Sequence, residues 1–272
     1  MKKSALLQLV CSVLGPWPIR GKERVTRPLL SRFAGDYVLL VGGVKMLLSP
    51  RDWIQRCVML GCFEREDAQR ARRLLRPGDA VIDVGANCGG LSAIYAQCVG
   101  RDGLVLGFEP NPRLKARLDF VKEHNDLPQL VIRRIGLGES NAEVSLSLPP
   151  AGSDNEDATM AAVTGWPTTS VKIKRLDDEL AAYPGQRFRL MKIDIEGHEH
   201  QALKGGSRAL SEGVVENLLV EFNSYWLKEQ ESSVDELWDY IISLGFQGCE
   251  SKPVLAVGEL ANSWFVHRSA AG

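Results

Sequence analysis

Short apolar runs recur along the middle of the chain, each followed by a stretch whose apolar residues repeat at helical spacing. Ala80 to Val84 is one such run, and Leu91, Ile94, Tyr95 and Cys98 mark one face of the segment after it. Leu104 to Phe108 is the next, followed by Leu114, Leu118 and Val121. Leu130 to Ile135, Leu190 to Ile195 and Leu218 to Phe222 read as further strands. Val234, Leu237, Trp238, Ile241 and Ile242 fall at i, i+3, i+4, i+7 and i+8, the stripe of an amphipathic helix. Trp264 to His267 reads as a last strand. Strands alternating with helices predict an α/β fold with a doubly wound, mostly parallel sheet covered on both faces.

The flanks are patterned differently. Tyr37 to Val41 and Val44 to Leu48 read as a hairpin around Gly42-Gly43. Residues 52–76 read as helical up to the Pro77-Gly78 stop. Residues 149–169 show no period and carry Pro149-Pro150, Gly152, Gly165 and Pro167. So long a loop is either a lid over a site or a surface insertion. Residues 1–33 read as a loosely attached basic arm, leaving residues 34–272 as the folded domain.

Composition is that of an ordinary globular protein, 44% hydrophobic and 25% charged. The charge is uneven. Residues 1–32 carry seven basic side chains against Glu23, so they hold +6 and the remainder −7 of a net −1. No global field therefore favours nucleic acid as a partner. Leu6, Val10, Val13 and Leu14 share one helical face. That face packs on the protein itself, on a second copy, or on the anionic inner face of a membrane. The six cysteines lie far apart with no C-x-x-C pair, which argues against a zinc site and for a reducing, cytoplasmic compartment.

The sharpest chemical feature is Val81-Ile-Asp-Val-Gly-Ala-Asn-Cys-Gly-Gly90. A strand runs into Asp83, then glycines, then a helix. In doubly wound sheets, ligands bind beyond the carboxyl ends of the strands at the switch point. Gly85 permits a tight turn and close approach of a ligand. The dinucleotide fingerprint needs a glycine where Asn87 stands. A carboxylate such as Asp83 repels a pyrophosphate and attracts a ligand carrying ammonium and sulfonium groups. S-adenosylmethionine (SAM) has both. Glu109, in Phe108-Glu-Pro-Asn111, ends the next strand, where a carboxylate accepts from the ribose hydroxyls of an adenosine.

These residues resemble the FkbM-type methyltransferase family. The matching segments are Gly61-Cys-Phe-Glu64, Pro77 to Asn87, Phe108 to Pro112, Leu176-Asp-Asp178 and Lys192-Ile-Asp-Ile-Glu-Gly197 with Glu199. The resemblance implies a Rossmann-like, seven-stranded class I SAM methyltransferase fold and O-methylation of sugars or natural products. It implies cofactor roles for Asp83, Gly85, Asn87, Glu109 and Asn111, with Glu64 near the methionine end. Many SAM enzymes bind the adenine amine with an acid after the third strand; Ile135-Gly136-Leu137 offers only backbone there.

On the acceptor side, alternation puts Lys192, Asp194 and Glu196 on one face of a strand. Such charges in a parallel sheet are paired or functional. A hydroxyl acceptor must lose a proton, so a carboxylate or histidine must lie within reach. Asp194 is the expected base, Glu196 positions the acceptor, and His198 is the alternative base. Glu221 and Asn223, ending the next strand, are expected to bind acceptor hydroxyls. Asp194, Glu196 and Glu221 have the oxygen donors for magnesium, but their spacing does not demand a metal, and none is expected. The acceptor is expected to be a small molecule, glycan or lipid. Rival readings are a nicotinamide-dependent oxidoreductase on the same fold and a non-catalytic SAM-binding protein.

Overall fold

The computed structural model describes residues 3–17, 21–150, 153 and 158–270. Two helices, α1 (Lys3–Leu14) and α2 (Lys22–Leu30), come first. The hairpin β1 (Tyr37–Val41) and β2 (Val44–Leu48) follows, then helices α3 (Trp53–Met59) and α4 (Arg65–Leu74). The alternating part begins with β3 (Ala80–Val84), α5 (Gly90–Val99), β4 (Leu104–Phe108), α6 (Lys115–His124) and β5 (Leu130–Arg133). A small side sheet holds β6 (Gly136–Leu137), β7 (Ala142–Ser147) and β8 (Thr168–Lys174). The rest is α7 (Leu176–Leu180), β9 (Leu190–Ile193), α8 (Glu199–Gly205), α9 (Ser207–Ser211), β10 (Asn217–Asn223), α10 (Ser224–Glu229), α11 (Val234–Ser243), β11 (Phe246–Gly248) and β12 (Leu260–His267).

The main sheet has seven strands in the order β11-β12-β10-β9-β3-β4-β5. The five strands from β10 to β5 are parallel, and β12 enters antiparallel between β10 and β11. This is the doubly wound, mostly parallel fold expected of class I SAM methyltransferases. From β3 the chain winds outward to β4 and β5, then crosses back to β9 on the other side of β3. The β3/β9 boundary is therefore the switch point, where adjacent loops part and leave a crevice.

Period two sorts the strand residues between two cores. Val81, Val105, Leu190 and Leu219 face the hairpin, α3, α4 and α5. Ile82, Leu106, Met191, Val220 and Phe265 face α8, α9 and α11. Both faces are covered, which is why these strands read as unbroken apolar runs.

Several boundaries differ from the sequence expectation. Residues 52–76 form two helices, because Gly61 and Glu64 take left-handed φ values of 61° and 39° and turn the chain. The strands after Leu130 and Leu190 stop at Arg133 and Ile193. The side sheet was missed, although β8 alternates visibly: Val171 and Ile173 are buried and Lys172 is exposed. Of the 149–169 loop, residues 151, 152 and 154–157 lie outside the described residues.

The described part of residues 1–33 packs against the hairpin. Gln8 brackets Leu40, donating to its carbonyl at 3.1 Å and accepting from its N–H at 2.7 Å. Leu7 and Leu30 are fully buried. The buried side of α1 carries Leu7 and Cys11, while Leu6 and Val13, from the expected stripe, are 41% and 55% exposed. Among the described residues, no helix is long and apolar enough to cross a membrane.

Candidate active site

β3 ends in a turn that brings two backbones together. Gly85 has φ +84°, and a Cβ there would stand 1.9 Å from the Asp194 carbonyl oxygen. Only glycine lets the β3 and β9 loops run this close at the switch point. A cavity of about 780 Å³ opens above them. Gly85 and Asn87 line it from β3, Glu109 and Asn111 from β4, Asp194 and Glu196 from β9, Glu221 and Asn223 from β10, and Glu64 from the α3–α4 turn. Five non-glycine residues among those described have positive φ, and three of them, Glu64, Asn87 and Glu196, line this cavity. Strain of this kind concentrates at functional sites.

Glu109 is the fixed point at the β4 end of the cavity. Its two oxygens accept from the backbone N–H groups of Asn111 at 2.8 Å and Asn87 at 2.9 Å. Those bonds fix the carboxylate and leave further lone pairs facing the cavity. Burial, opposed by the two N–H donors, raises its pKa to about 7. The Asn111 side chain accepts from the Arg113 N–H at 3.0 Å, capping the turn that follows β4. Beyond Glu109 the lining turns apolar, with Pro110, Leu114, Leu137, Leu146 and Met160.

Asp83 does not line the cavity, contrary to its expected role as a cofactor ligand. It is 1% exposed, on the α5 face of the sheet, and accepts from Ser92 Oγ at 2.5 Å. The strand alternation that points Val84 to one core points Asp83 to the other, beneath the site.

At the β9–β10 end stands a buried acid cluster around one cation. Lys192 Nζ lies 2.8 Å from Asp194 Oδ2 and 3.7 Å from Glu64 Oε1. Burial alone would lower Lys192, yet Asp194, Glu64 and Asp83 outweigh it and hold the ammonium well above its ordinary value. Burial likewise opposes ionisation of Asp194, but Lys192 and hydrogen bonds from Glu64 and Glu221 hold that carboxyl below its usual range. Burial raises Glu64 to about 8 and Glu221 well above the ordinary glutamate value. The cluster therefore concentrates its negative charge on Asp194.

The other predicted residues separate. Glu196 reaches the cavity from a loop rather than by strand alternation, and its carbonyl accepts from Thr159 Oγ1 at 3.2 Å. Glu199 holds that loop, accepting from Ile195 N at 2.9 Å and Gly197 N at 3.2 Å. His198 is absent from the cavity lining and packs by Gly138, with its pKa lowered by burial. His200 sits 3.1 Å from Ser232 Oγ and against Tyr240, away from the site. Asn223 reaches the cavity while also capping α10, accepting from Trp226 N at 3.3 Å.

Sequence reasoning missed the walls. Trp17, Glu23, Trp53, Leu260 and Asn262 line the cavity from segments remote from the motifs. Ala158 and Met160, from the aperiodic loop, line it as well. The cysteines are less scattered than their spacing implies, since Cys57 and Cys62 lie together with Glu23 at the cavity edge.

Residues 83–247 match the family described as Methyltransferase FkbM domain. A hexuronic acid methyltransferase, AglP of Haloferax volcanii, is 30% identical over 136 residues, 48% of this chain. The chain spans about half the length of that relative, 52%. Similar solved structures include an rRNA methylase from Streptococcus thermophilus, at 11% identity and TM-score 0.46, covering 75% of this chain and 95% of that one. A SAM-dependent methyltransferase from Aquifex aeolicus follows at 13% identity and TM-score 0.41, with 74% and 87% covered.

Proposed function

The chain belongs to the FkbM methyltransferase family, and on that premise we propose that it moves a methyl group from SAM to a hydroxyl of a sugar, glycolipid or natural product. The observation that carries this reading is the pairing of Glu109 and Asp194 in one cavity. One is a fixed carboxylate suited to ribose, the other a carboxylate kept ionised by Lys192. SAM, when bound, supplies a methyl group on a good leaving group. The chain's own residues do the rest. Glu109 accepts from the ribose hydroxyls, and the apolar slot around Pro110, Leu137 and Met160 takes the adenine faces. Gly85 lets the β3 and β9 loops close together beneath the ligand, and the Asn87 N–H fixes the Glu109 carboxylate. Asp194 accepts the proton that the acceptor hydroxyl gives up, and Glu196, Glu221 and Asn223 orient the acceptor.

The cavity charge refines the acceptor class. Acidic side chains outnumber basic ones in its lining, eight to Lys22 and Arg65, and Asp194 keeps its charge although burial favours the protonated forms of Glu64 and Glu221. A pyrophosphate, a phosphodiester backbone or a uronate meets repulsion there, and an uncharged polyol does not. This supports SAM over a nicotinamide dinucleotide, and a neutral sugar over the hexuronic acid named for AglP. The similarity to AglP supports sugar chemistry in general.

The test is release of S-adenosylhomocysteine from purified protein, SAM and a panel of neutral sugars, uronates and lipid-linked sugars. Turnover is expected with neutral hydroxyl acceptors. Binding of NAD in place of SAM would overturn the reading. SAM binding with no turnover on any hydroxyl acceptor would favour the non-catalytic alternative.

A further inference from the structure

The C-terminus of α3 closes in a way that stacks two thiols. Cys62 N donates to Cys57 O at 2.9 Å and Gly61 N donates to Val58 O at 3.0 Å. This is the paired closure of a Schellman cap, and it needs the left-handed φ of +61° that Gly61 supplies. The cap folds the residue after the glycine back over the residue five before it. In most such caps the two positions make an apolar contact; here both are cysteine. A third group arrives from a different element. Glu23, in the first turn of α2, places a carboxylate oxygen within 4.8 Å of both sulfurs, which lie equally close to each other.

We propose that Glu23, Cys57 and Cys62 form a zinc site, with the carboxylate and two thiolates as ligands and a fourth position open to the cavity.

Ligands about 2.3 Å from a tetrahedral ion stand roughly 3.5–4 Å apart, so three atoms already within 4.8 Å of one another need to close little. Two sulfurs select a borderline or soft ion over magnesium or calcium, and the single carboxylate suits zinc. Cys57 is buried, and Cys62 and Glu23 are partly buried, so no long exposed side chain must be ordered to build the site. The Cys62 thiol donates to the Cys57 carbonyl at 3.5 Å, a weak bond that the ion would replace. Binding exchanges the two thiol protons for the ion and leaves the fourth position to water. All three ligands line the cavity that holds the acid cluster. The ion therefore ties α2 to the end of α3 and fixes one edge of that cavity.

The full-length, reduced protein is titrated with zinc chloride by calorimetry. Cadmium is then titrated with its thiolate charge-transfer absorption as the readout. One saturable equivalent is expected, and cadmium should raise the charge-transfer band. C62S should abolish both signals, and E23Q should weaken zinc binding by about tenfold or more. C249S, at an exposed cysteine, should change neither. In the unmutated protein, zinc should protect Cys62 and leave Cys249 open to alkylation, as mapped by mass spectrometry. No saturable uptake, uptake indifferent to C62S, or equal alkylation of Cys62 with and without zinc would overturn the proposal. The thiols would then be the apolar contact of a helix cap. None of these measurements depends on methyl transfer.

Discussion

Asp83 and Lys192 stand opposite each other in the register of β3 and β9, both almost wholly buried. They share the sheet face beneath the cavity, and neither side chain is among the cavity lining. Lys192 spends its charge on Asp194 and Glu64 above it, while Asp83 holds Ser92 behind it. The ionisation of the site is thus set from inside the core.

Lys192→Met should expose that dependence. It leaves Asp194 and its neighbours buried without a cation, and breaking a buried pair in this way costs about 3–5 kcal/mol. Urea unfolding should show a loss of that order. A loss below about 1 kcal/mol would mean the acids relax by taking up protons, and Asp194 would then no longer be a base at neutral pH.

Asp194→Asn keeps the shape and removes the proton acceptor. SAM should still bind, and turnover on the true acceptor should fall by roughly 10²–10⁴. Turnover near that of the unmutated protein would make Asp194 structural. His198 would not inherit the role without movement, since it lies off the cavity.

Glu109 predicts a coupled effect of pH. Its folded pKa is raised to about 7 from an ordinary 4.5. Between these values the folded protein holds a proton that the unfolded chain has lost. Its contribution to stability is therefore full below 4.5 and is lost as pH rises through 7. A ligand whose hydroxyls donate to this carboxylate favours the ionised form, so SAM affinity should rise from pH 6 to pH 8. Calorimetry should show that slope flattened in Glu109→Gln. Glu109→Ala should weaken SAM by roughly 1.5–3 kcal/mol. Unchanged affinity in a folded Glu109→Ala protein would remove Glu109 from the site.

The outward side of α1 carries the exposed apolar residues that a membrane contact would use. Leu6, Leu9 and Val13 are all more than 40% exposed, and Leu40 on the adjacent hairpin is 55% exposed. Lys3, Arg24, Arg27 and Arg32 add positive charge to the same segment, while Lys2 and Arg20 of the expected basic set lie outside the described residues. Each basic residue near an anionic lipid surface adds about 1 kcal/mol. Sedimentation with anionic vesicles should pull down the protein in a salt-sensitive way, and replacing Leu6, Leu9 and Val13 by serine should release it. Equal recovery of both proteins in the supernatant would sink the membrane reading.

The β3–β4 half of the cavity was legible because its signals are local. The strand ending at Val84, the turn at Gly85 and Asn87, and Glu109 at the next strand end all follow from short-range patterns. Asp83 was misassigned because proximity in sequence to Gly85 says nothing about which face its side chain takes. Strand alternation, applied to Val81 and Val84, would have placed it in the core. The ion pair of Lys192 with Asp194 followed from their spacing of two. The resemblance placed Glu64 at the methionine end of the ligand, and its meeting with Lys192 carried no signal because it depends on the left-handed breaks at Gly61 and Glu64. Trp17, Glu23 and Asn262 carried no signal, since they meet the site through contacts between segments far apart in the chain.

β12 has a consequence for the order of events during synthesis. It slots between β10 and β11, and Leu260 and Asn262 on it line the cavity together with Trp17 and Glu23 from the other end of the chain. A chain with β3, β4 and β9 formed but β12 unplaced therefore lacks part of the wall around Gly85, Asn87 and Glu109. The lining is complete only when residues 260–262 have taken their place in the sheet.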